Sequence, residues 1–582
     1  MELLGESAAA EPRTQAGNGG SHRFLEAAPG PPPVVRKRGE AHRAVLALAG
    51  IIALAAAPRL FGLSRQNLIY DECASVLIAR MHWRDFFAVL SHREANMSLY
   101  YLLLRGWMAA LAAWFPAWAR TEPAVRLLSV GLGLAEFPVL FALGRRLYNA
   151  RAGLMAALLL APNILALRYS QDARSYSLYL LLVTAAALQF LRAGEAPPER
   201  QARGWAFYTV LAAAAVYAQF FAGIFLLMQW LWRLLERGRR PAGKGFWLSL
   251  GAILLLVSPL LAFVLLRNRG QIAWVPAPNF GQITGLLQAM AGEGAHTVAL
   301  LWPLAWVWLA LAVLGLWAGL RRRNAAPAAI AAPPPETGAA AGGWNARRAT
   351  LLLALWLWLP IALVYAGSYL WEPMFINRYL LPCLVPWALL AACGLQSLRP
   401  RLALPVALAL LLGMQAAADV SYYHHLVPPW RQASRYLQAH YRPGDRILAY
   451  QPGGAMFLDY YFYRDHREEL ARSLLYPASA NPARLLRKRG IGERAMRRAV
   501  AQLRRLPTGS RLWFAMVLDD KSPAWAQRLP QPFLYFDNQP LPDYIFMGER
   551  RFYAVHVMLY RKIRAGPPLD LRRAQGLRGG RS

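Results

Sequence analysis

The stretch SLYYLLLRGWMAALAAWF (Ser98–Phe115) decides the fold. It is apolar enough to pass for a membrane span, yet Arg105 interrupts it and aromatic residues crowd it. A bilayer crossing takes about 20 apolar residues, whereas aromatic-rich amphipathic segments settle in the interface. Taken as an interfacial helix, the stretch leaves every strongly basic loop of the chain on one side of the membrane. Taken as a span, it inverts that order, so the interfacial reading holds.

The composition around it is that of a membrane protein. The 582 residues are 57% hydrophobic, 12% aromatic and 16% charged, with a mean hydropathy of +0.25. A soluble chain needs more charge than this to cover its surface. The net charge of +34 would by itself suit a nucleic-acid binder. Much of the excess, however, lies in short clusters between apolar runs, such as RRLYNAR (Arg145–Arg151), ERGRRPAGK (Glu236–Lys244), RRRN (Arg321–Asn324) and LRPR (Leu398–Arg401). Clusters of this kind mark the cytoplasmic ends of spans, and no nucleic-acid partner is expected. Cys73, Cys383 and Cys393 are an odd count without paired spacing and imply no disulfide framework.

The charge rule orders the rest. A first span runs from about Ala44 to Phe61, behind the basic Arg36, Lys37 and Arg38. The next covers about Val125 to Leu143, and the third, about Ala152 to Leu167, delivers RYSQDARSYS (Arg168–Ser177) to the outer side. Continuing to a last span near Leu402–Ala418 predicts an α-helical polytopic membrane protein with about eleven transmembrane helices. Residues 1–43 read as a disordered cytoplasmic tail, and 44–418 as the transmembrane domain. Within the latter, the first outer loop (62–124) carries interfacial helices, and 321–348 holds a flexible cytoplasmic linker. Residues 419–582 lack an apolar run long enough to cross and read as a soluble extracytoplasmic α/β domain. There DRILAYQ, RLWFAMVLDD and RFYAVHVMLYRKI are expected strands, and PPWRQASRYLQAHYRPGD is an expected helix closed by Pro-Gly. The predicted setting is the bacterial inner membrane, with the N-terminus cytoplasmic.

On this topology the chemistry-bearing residues collect outside. The first outer loop holds Asp71 and Glu72, then His92, Arg93, Glu94 and Asn96. Later loops hold Gln171, Asp172, Arg174 and Tyr176, and then Asn377, Arg378 and Tyr379. Acids and arginines beside a membrane face suit a substrate with an anionic headgroup and a lipid tail. Each residue also has a plainer reading: Asp71 as a helix cap, Arg174 as a snorkelling side chain, Cys73 as packing.

The motifs in their order resemble the GT-C-type glycosyltransferases that take sugar from a polyprenyl-phosphate donor, among them protein O-mannosyltransferases and aminoarabinose transferases. The resemblance rests on YDE (Tyr70–Glu72), HREANMSLYYLL (His92–Leu103), YSQDARSYSLYLL (Tyr169–Leu181) and NRYLLPCLVP (Asn377–Pro386), and spans roughly the first 400 residues. Ser98 stands where the related segment commonly has proline. The resemblance implies transfer to an acceptor hydroxyl by single displacement with inversion. Asp71 is the implied base, with Glu72 beside it as an orienting group. Glu94, His92, Asp172, Gln171 and Tyr176 would bind substrate, and Arg174, Arg378 and Tyr379 the donor phosphate. A divalent ion, Mg²⁺ or Mn²⁺, is left open, with Asp71, Asp172 and Glu94 as its ligands. The implied partners are the lipid-linked donor, a glycolipid, glycan or protein acceptor, and membrane lipid. A transporter or flippase is the rival reading; it calls for ionisable residues near the bilayer midplane and for repeated halves, and neither is evident.

Overall fold

The computed structural model describes residues 33–92, 94–236, 243–267, 275–292, 302–321, 345–400, 402–424, 428–449, 452–462, 472–476, 493–517 and 543–564. The expected tail is therefore described only from Pro33, and the expected linker lies largely in 322–344, outside the described residues. The chain divides into residues 1–43 and 44–582. Residues of the first are helical from Pro33 onward, and the site and its contacts lie in the second.

The helices in chain order are α1 (Pro33–Leu60), α2 (Tyr70–Ala79), α3 (Trp83–His92), α4 (Ser98–Trp114), α5 (Glu122–Leu147), α6 (Ala150–Leu160), α7 (Ile164–Gln171), α8 (Tyr176–Glu195), α9 (Pro198–Ala218) and α10 (Ala222–Leu235). There follow α11 (Lys244–Arg267), α12 (Phe280–Ala291), α13 (Trp302–Arg321), α14 (Ala346–Leu370), a 3₁₀ turn (Asn377–Cys383), α15 (Leu384–Ser397) and α16 (Ala403–His424). Among the described residues eight helices are long and apolar enough to cross a bilayer, and a ninth if the bent pair α6–α7 counts as one span. About eleven were expected. The two remaining expected spans fall on α9, whose first turns carry Glu199, Arg200 and Arg203, and on α10, with only 14 residues. The stretch that opened the sequence reading is α4, whose 17 residues fall short of a span.

Two local features shape the bundle. Pro162 cannot continue the ladder of α6, and Asn163 restarts the chain by accepting the Ala166 N–H at 3.2 Å. The result is a bend of 65° between α6 and α7, which turns Gln171–Arg174 toward the first outer loop. Between α13 and α15, a Cβ on Gly315 would stand 1.9 Å from the Leu390 carbonyl oxygen, and one on Gly394 2.0 Å from that of Leu311. Only glycine permits this backbone approach.

Past α16 the chain forms an α/β unit of α17 (Trp430–His440), β1 (Arg446–Ala449), α18 (Pro452–Tyr461), β2 (Leu474–Tyr476), α19 (Glu493–Arg505), β3 (Arg511–Val517), β4 (Tyr544–Phe552) and β5 (Val555–Lys562). The sheet order is β2-β1-β3-β5-β4. β1 runs parallel to β2 and β3, and β5 runs antiparallel to β3 and β4. Alternation sorts the side chains, as strand geometry requires. Leu448, Leu512, Phe514 and Met516 pack with Ala499 and Leu503 of α19. Ile447, Ala449, Trp513 and Ala515 face Trp430, Leu437 and Met456, in a core continuous with that of the helical bundle. The three expected strands and the expected helix are β1, β3, β5 and α17; β2, β4, α18 and α19 were not foreseen.

Candidate active site

The site begins at the N-terminus of α2. Ile69 is the N-cap residue, and its N–H is accepted by Glu72 Oε2 at 2.9 Å. The helix end is thus capped by Glu72, which leaves the Asp71 carboxylate free of that duty. Glu72 is completely buried. It also accepts the Ala173 N–H at 2.9 Å and two bonds from Arg126, Nε at 2.8 Å and Nη2 at 2.7 Å. Arg126 gives its remaining protons to the carbonyls of Leu63, Gln66 and Asn67 at 2.7, 3.0 and 2.9 Å. Both charges are paired and saturated, as burial demands. Glu72 is therefore a structural residue, not a group that faces substrate.

Asp71 is different. Its side chain is 32% exposed, with Oδ2 at 3.3 Å from Arg378 Nη1 and 3.9 Å from Arg174 Nη2. Arg174 is fixed in turn by bonds from Nη1 to Ser75 Oγ at 3.2 Å and to the Tyr101 hydroxyl at 3.3 Å. That hydroxyl donates to Glu94 Oε1 at 3.5 Å. Burial pushes the Glu94 carboxyl up to about 7; Arg174 opposes the shift, and Asp71 adds to it. Tyr176 is buried, with its ring 6.0 Å from both the Arg174 and Arg378 guanidinium carbons. Its hydroxyl has no hydrogen-bond partner among the described residues. Segments 103 and 307 residues along the chain from Asp71 therefore meet around its carboxylate.

An apolar groove reaches Tyr379, the residue after Arg378. A cavity of about 1100 Å³ is lined by α9, α10 and α11 through residues such as Val216, Ile224, Leu227, Val257 and Leu261. Its polar lining is Asn96, Glu372 and Tyr379. Tyr379 stacks on Phe221 with ring centroids 4.2 Å apart, and the Arg378 guanidinium lies 5.6 Å from the Tyr379 ring. Asn96 Oδ1 accepts the Phe220 N–H at 3.1 Å and so ties the first outer loop to the groove wall.

Three expected site residues are not part of the cluster. His92 is exposed and bonds to Ser91 and Ala88 at the end of α3. Gln171 is spent on the end of α1, donating to the carbonyls of Pro58, Arg59 and Phe61 at 3.1, 3.1 and 3.0 Å. Asp172 lines a separate pocket of about 10 Å³ with Arg126, Tyr422 and Tyr423, room for about one water. Burial and Glu72 push its carboxyl up to about 7. The metal set of Asp71, Asp172 and Glu94 does not fit: Asp71 faces two arginines, and Asp172 opens elsewhere. Among the described residues no group of three or more His, Cys, Asp or Glu is placed to hold a metal. The sequence reading also missed Arg126, Ser75 and Tyr101. An arginine in the first turns of an apolar helix needs a buried partner, and that was the available signal for Arg126.

The helical bundle therefore holds a carboxylate between two arginines, with an apolar groove reaching the residue next to Arg378. Residues 103–263 match the family described as dolichyl-phosphate-mannose-protein mannosyltransferase. The whole fold is similar to that of ArnT from Cupriavidus metallidurans. In the apo state the TM-score is 0.56 at 14% identity, over 91% of this chain and 100% of that one. Bound to undecaprenyl phosphate, it is 0.53 at 14%, over 90% and 99%. AglB, the archaeal oligosaccharyltransferase of Archaeoglobus fulgidus, aligns at a TM-score of 0.47 and 11% identity, over 81% and 69%. No curated protein sequence matches the chain. The chain thus carries a mannosyltransferase-family match over residues 103–263 and shares its helical fold with ArnT.

Proposed function

We propose that the protein moves a sugar from a polyprenyl-phosphate donor to an acceptor hydroxyl at the extracytoplasmic face of a bacterial inner membrane. The observation that carries this is the Asp71 carboxylate held by Arg378 and Arg174, with the apolar groove lined by Tyr379 beside Arg378. In this reading the isoprenoid tail lies in the groove, and the donor phosphate meets the two guanidiniums, whose planar forks suit phosphate oxygens. ArnT, whose fold this chain shares, has been captured with undecaprenyl phosphate.

The arriving phosphate competes with Asp71 for Arg378 and Arg174 and so releases the carboxylate. The acceptor oxygen then attacks the anomeric carbon from the face opposite the phosphate and gives its proton to Asp71. The carbon–oxygen bond to phosphate breaks, and its electron pair leaves with the lipid phosphate, where the arginines stabilise the added charge. One displacement inverts the anomeric centre, with no covalent enzyme intermediate. No step is routed through a metal, because the donor set does not fit one.

The test is transfer from radiolabelled polyprenyl-phosphate sugars to candidate glycolipid, glycan and protein acceptors, with and without chelator. Asp71→Asn is expected to lose about 10²- to 10⁴-fold in rate while melting like the parent in detergent. Full activity in that variant removes Asp71 from the chemistry.

A further inference from the structure

The segment that carries the base into the site is gripped from two directions. From the bundle side, Arg126 holds the carbonyls of Leu63, Gln66 and Asn67, and Glu72 holds the Ile69 N–H. The other grip comes from the α/β unit. The Tyr461 hydroxyl on α18 accepts the Leu68 N–H at 2.9 Å. Arg431 on α17 donates from Nη2 to the Ser64 carbonyl at 2.7 Å and from Nε to Asn67 Oδ1 at 3.2 Å. Its Nε also lies 3.1 Å from Glu122 at the start of α5. Asn67 Nδ2 returns a bond to the Pro428 carbonyl at 3.3 Å, and the neighbouring Tyr460 hydroxyl donates to the Arg120 carbonyl at 3.0 Å.

We infer that Arg431 and Tyr461 are positioning residues for the reaction, and that the α/β unit sets the placement of the base. The inference rests on the assignment of Asp71 given above. The chain from Ser64 to Ile69 has no regular secondary structure, so nothing within it holds Asp71 in place. Beyond the local Arg65–Gly62 turn bond, these ties reach α2, α5, α17, α18 and the Pro428 carbonyl. Two of the three residues before α2, Asn67 and Leu68, bond to the α/β unit. A displacement of about 1 Å at a reacting group costs on the order of 10²-fold in rate, so a loosened grip is read out in turnover. Neither residue touches the groove, so donor binding should not sense the change.

The experiment compares Tyr461→Phe, Arg431→Gln and Arg431→Lys with the parent in purified full-length protein. Turnover is normalised to the folded fraction measured by thermal melting. Tyr461→Phe removes one hydroxyl and is expected to lower kcat about three- to tenfold, with the donor KM within about twofold. Arg431→Gln is expected to lose more, and Arg431→Lys to recover part, since an ammonium keeps the charge facing Glu122 and a donor for Ser64. Unchanged kcat per folded molecule in both Tyr461→Phe and Arg431→Gln overturns the inference. So does a raised donor KM with kcat intact. If those results come with an inactive Asp71→Asn, the base assignment stands and only the positioning role falls. A fully active Asp71→Asn removes both.

Discussion

Neighbouring residues on a helix project about 100° apart, and for Asp71 and Glu72 that angle separates a held acid from an available one. Glu72 turns inward to Arg126, while Asp71 keeps a face to solvent between two arginines. Glu94 behaves differently again. Its ordinary value is 4.5 and the folded protein holds it near 7, so the native state keeps a proton that the unfolded chain has released. The resulting stabilisation is complete below about pH 4.5, is lost as pH rises through about 7, and is flat above. Glu94→Gln should therefore show a shallower fall in melting temperature than the parent between about pH 5 and pH 8; parallel curves would count against a buried, proton-holding Glu94. Asp172 shifts in the same sense and is common to both proteins, so the difference isolates Glu94. At this scale the sequence named Asp71, Glu94, Arg174 and Arg378 and preferred Asp71 to Glu72 as the base, but it placed Glu72 beside substrate and not on Arg126. The deciding partner, Arg126, is 54 residues away, and adjacency alone carries no direction. His92 misled for the opposite reason: it is close to Glu94 in sequence, yet α3 ends with it facing outward.

The elements that matter most are α9, α10 and α11, which wall the groove, and the break between α6 and α7. The wall is apolar along its length and acquires polar groups only where Asn96, Glu372 and Tyr379 line it. On the proposed function, a tail and a headgroup would be read by different parts of one surface. Filling the wall with Ile224→Trp is expected to raise the donor KM about tenfold while saturated turnover holds. A donor with a shortened lipid should be much less affected, because it reaches less of the groove. Equal KM values for long and short donors in the variant would place the tail elsewhere. Helical periodicity made these elements legible, and Pro162-Asn163 marked the break. Their number of crossings was less so, since α9 and α10 combine too few apolar residues with tertiary burial that hydropathy does not register. In the α/β unit the strands β1, β3 and β5 were readable from their apolar and aromatic runs. The three residues of β2 and the exposed β4 carry too little pattern to stand out.

For the whole molecule, the proposed topology puts the basic clusters and the carboxylate site on opposite sides of the bilayer. A cysteine at Ala277, in the loop between α11 and α12 that the charge rule puts outside, should react with an impermeant maleimide in intact cells, and one at Pro197 only after the membrane is opened. Both positions are exposed, and the buried Cys73 and Cys383 leave Cys393 as the native thiol to replace first. The reverse pattern would turn the site to the cytoplasm and remove the extracytoplasmic reading. The grip on residues 64–69 has one more effect, on the timing of synthesis. Leu68 bonds to a residue 393 positions further along, and ribosomes add about 5–20 residues per second. The segment bearing the base is thus translated on the order of 20–80 seconds before its last partner exists. Every helix of the bundle after α1 is translated within that interval, so the proposed base reaches its final setting only when the closing domain folds.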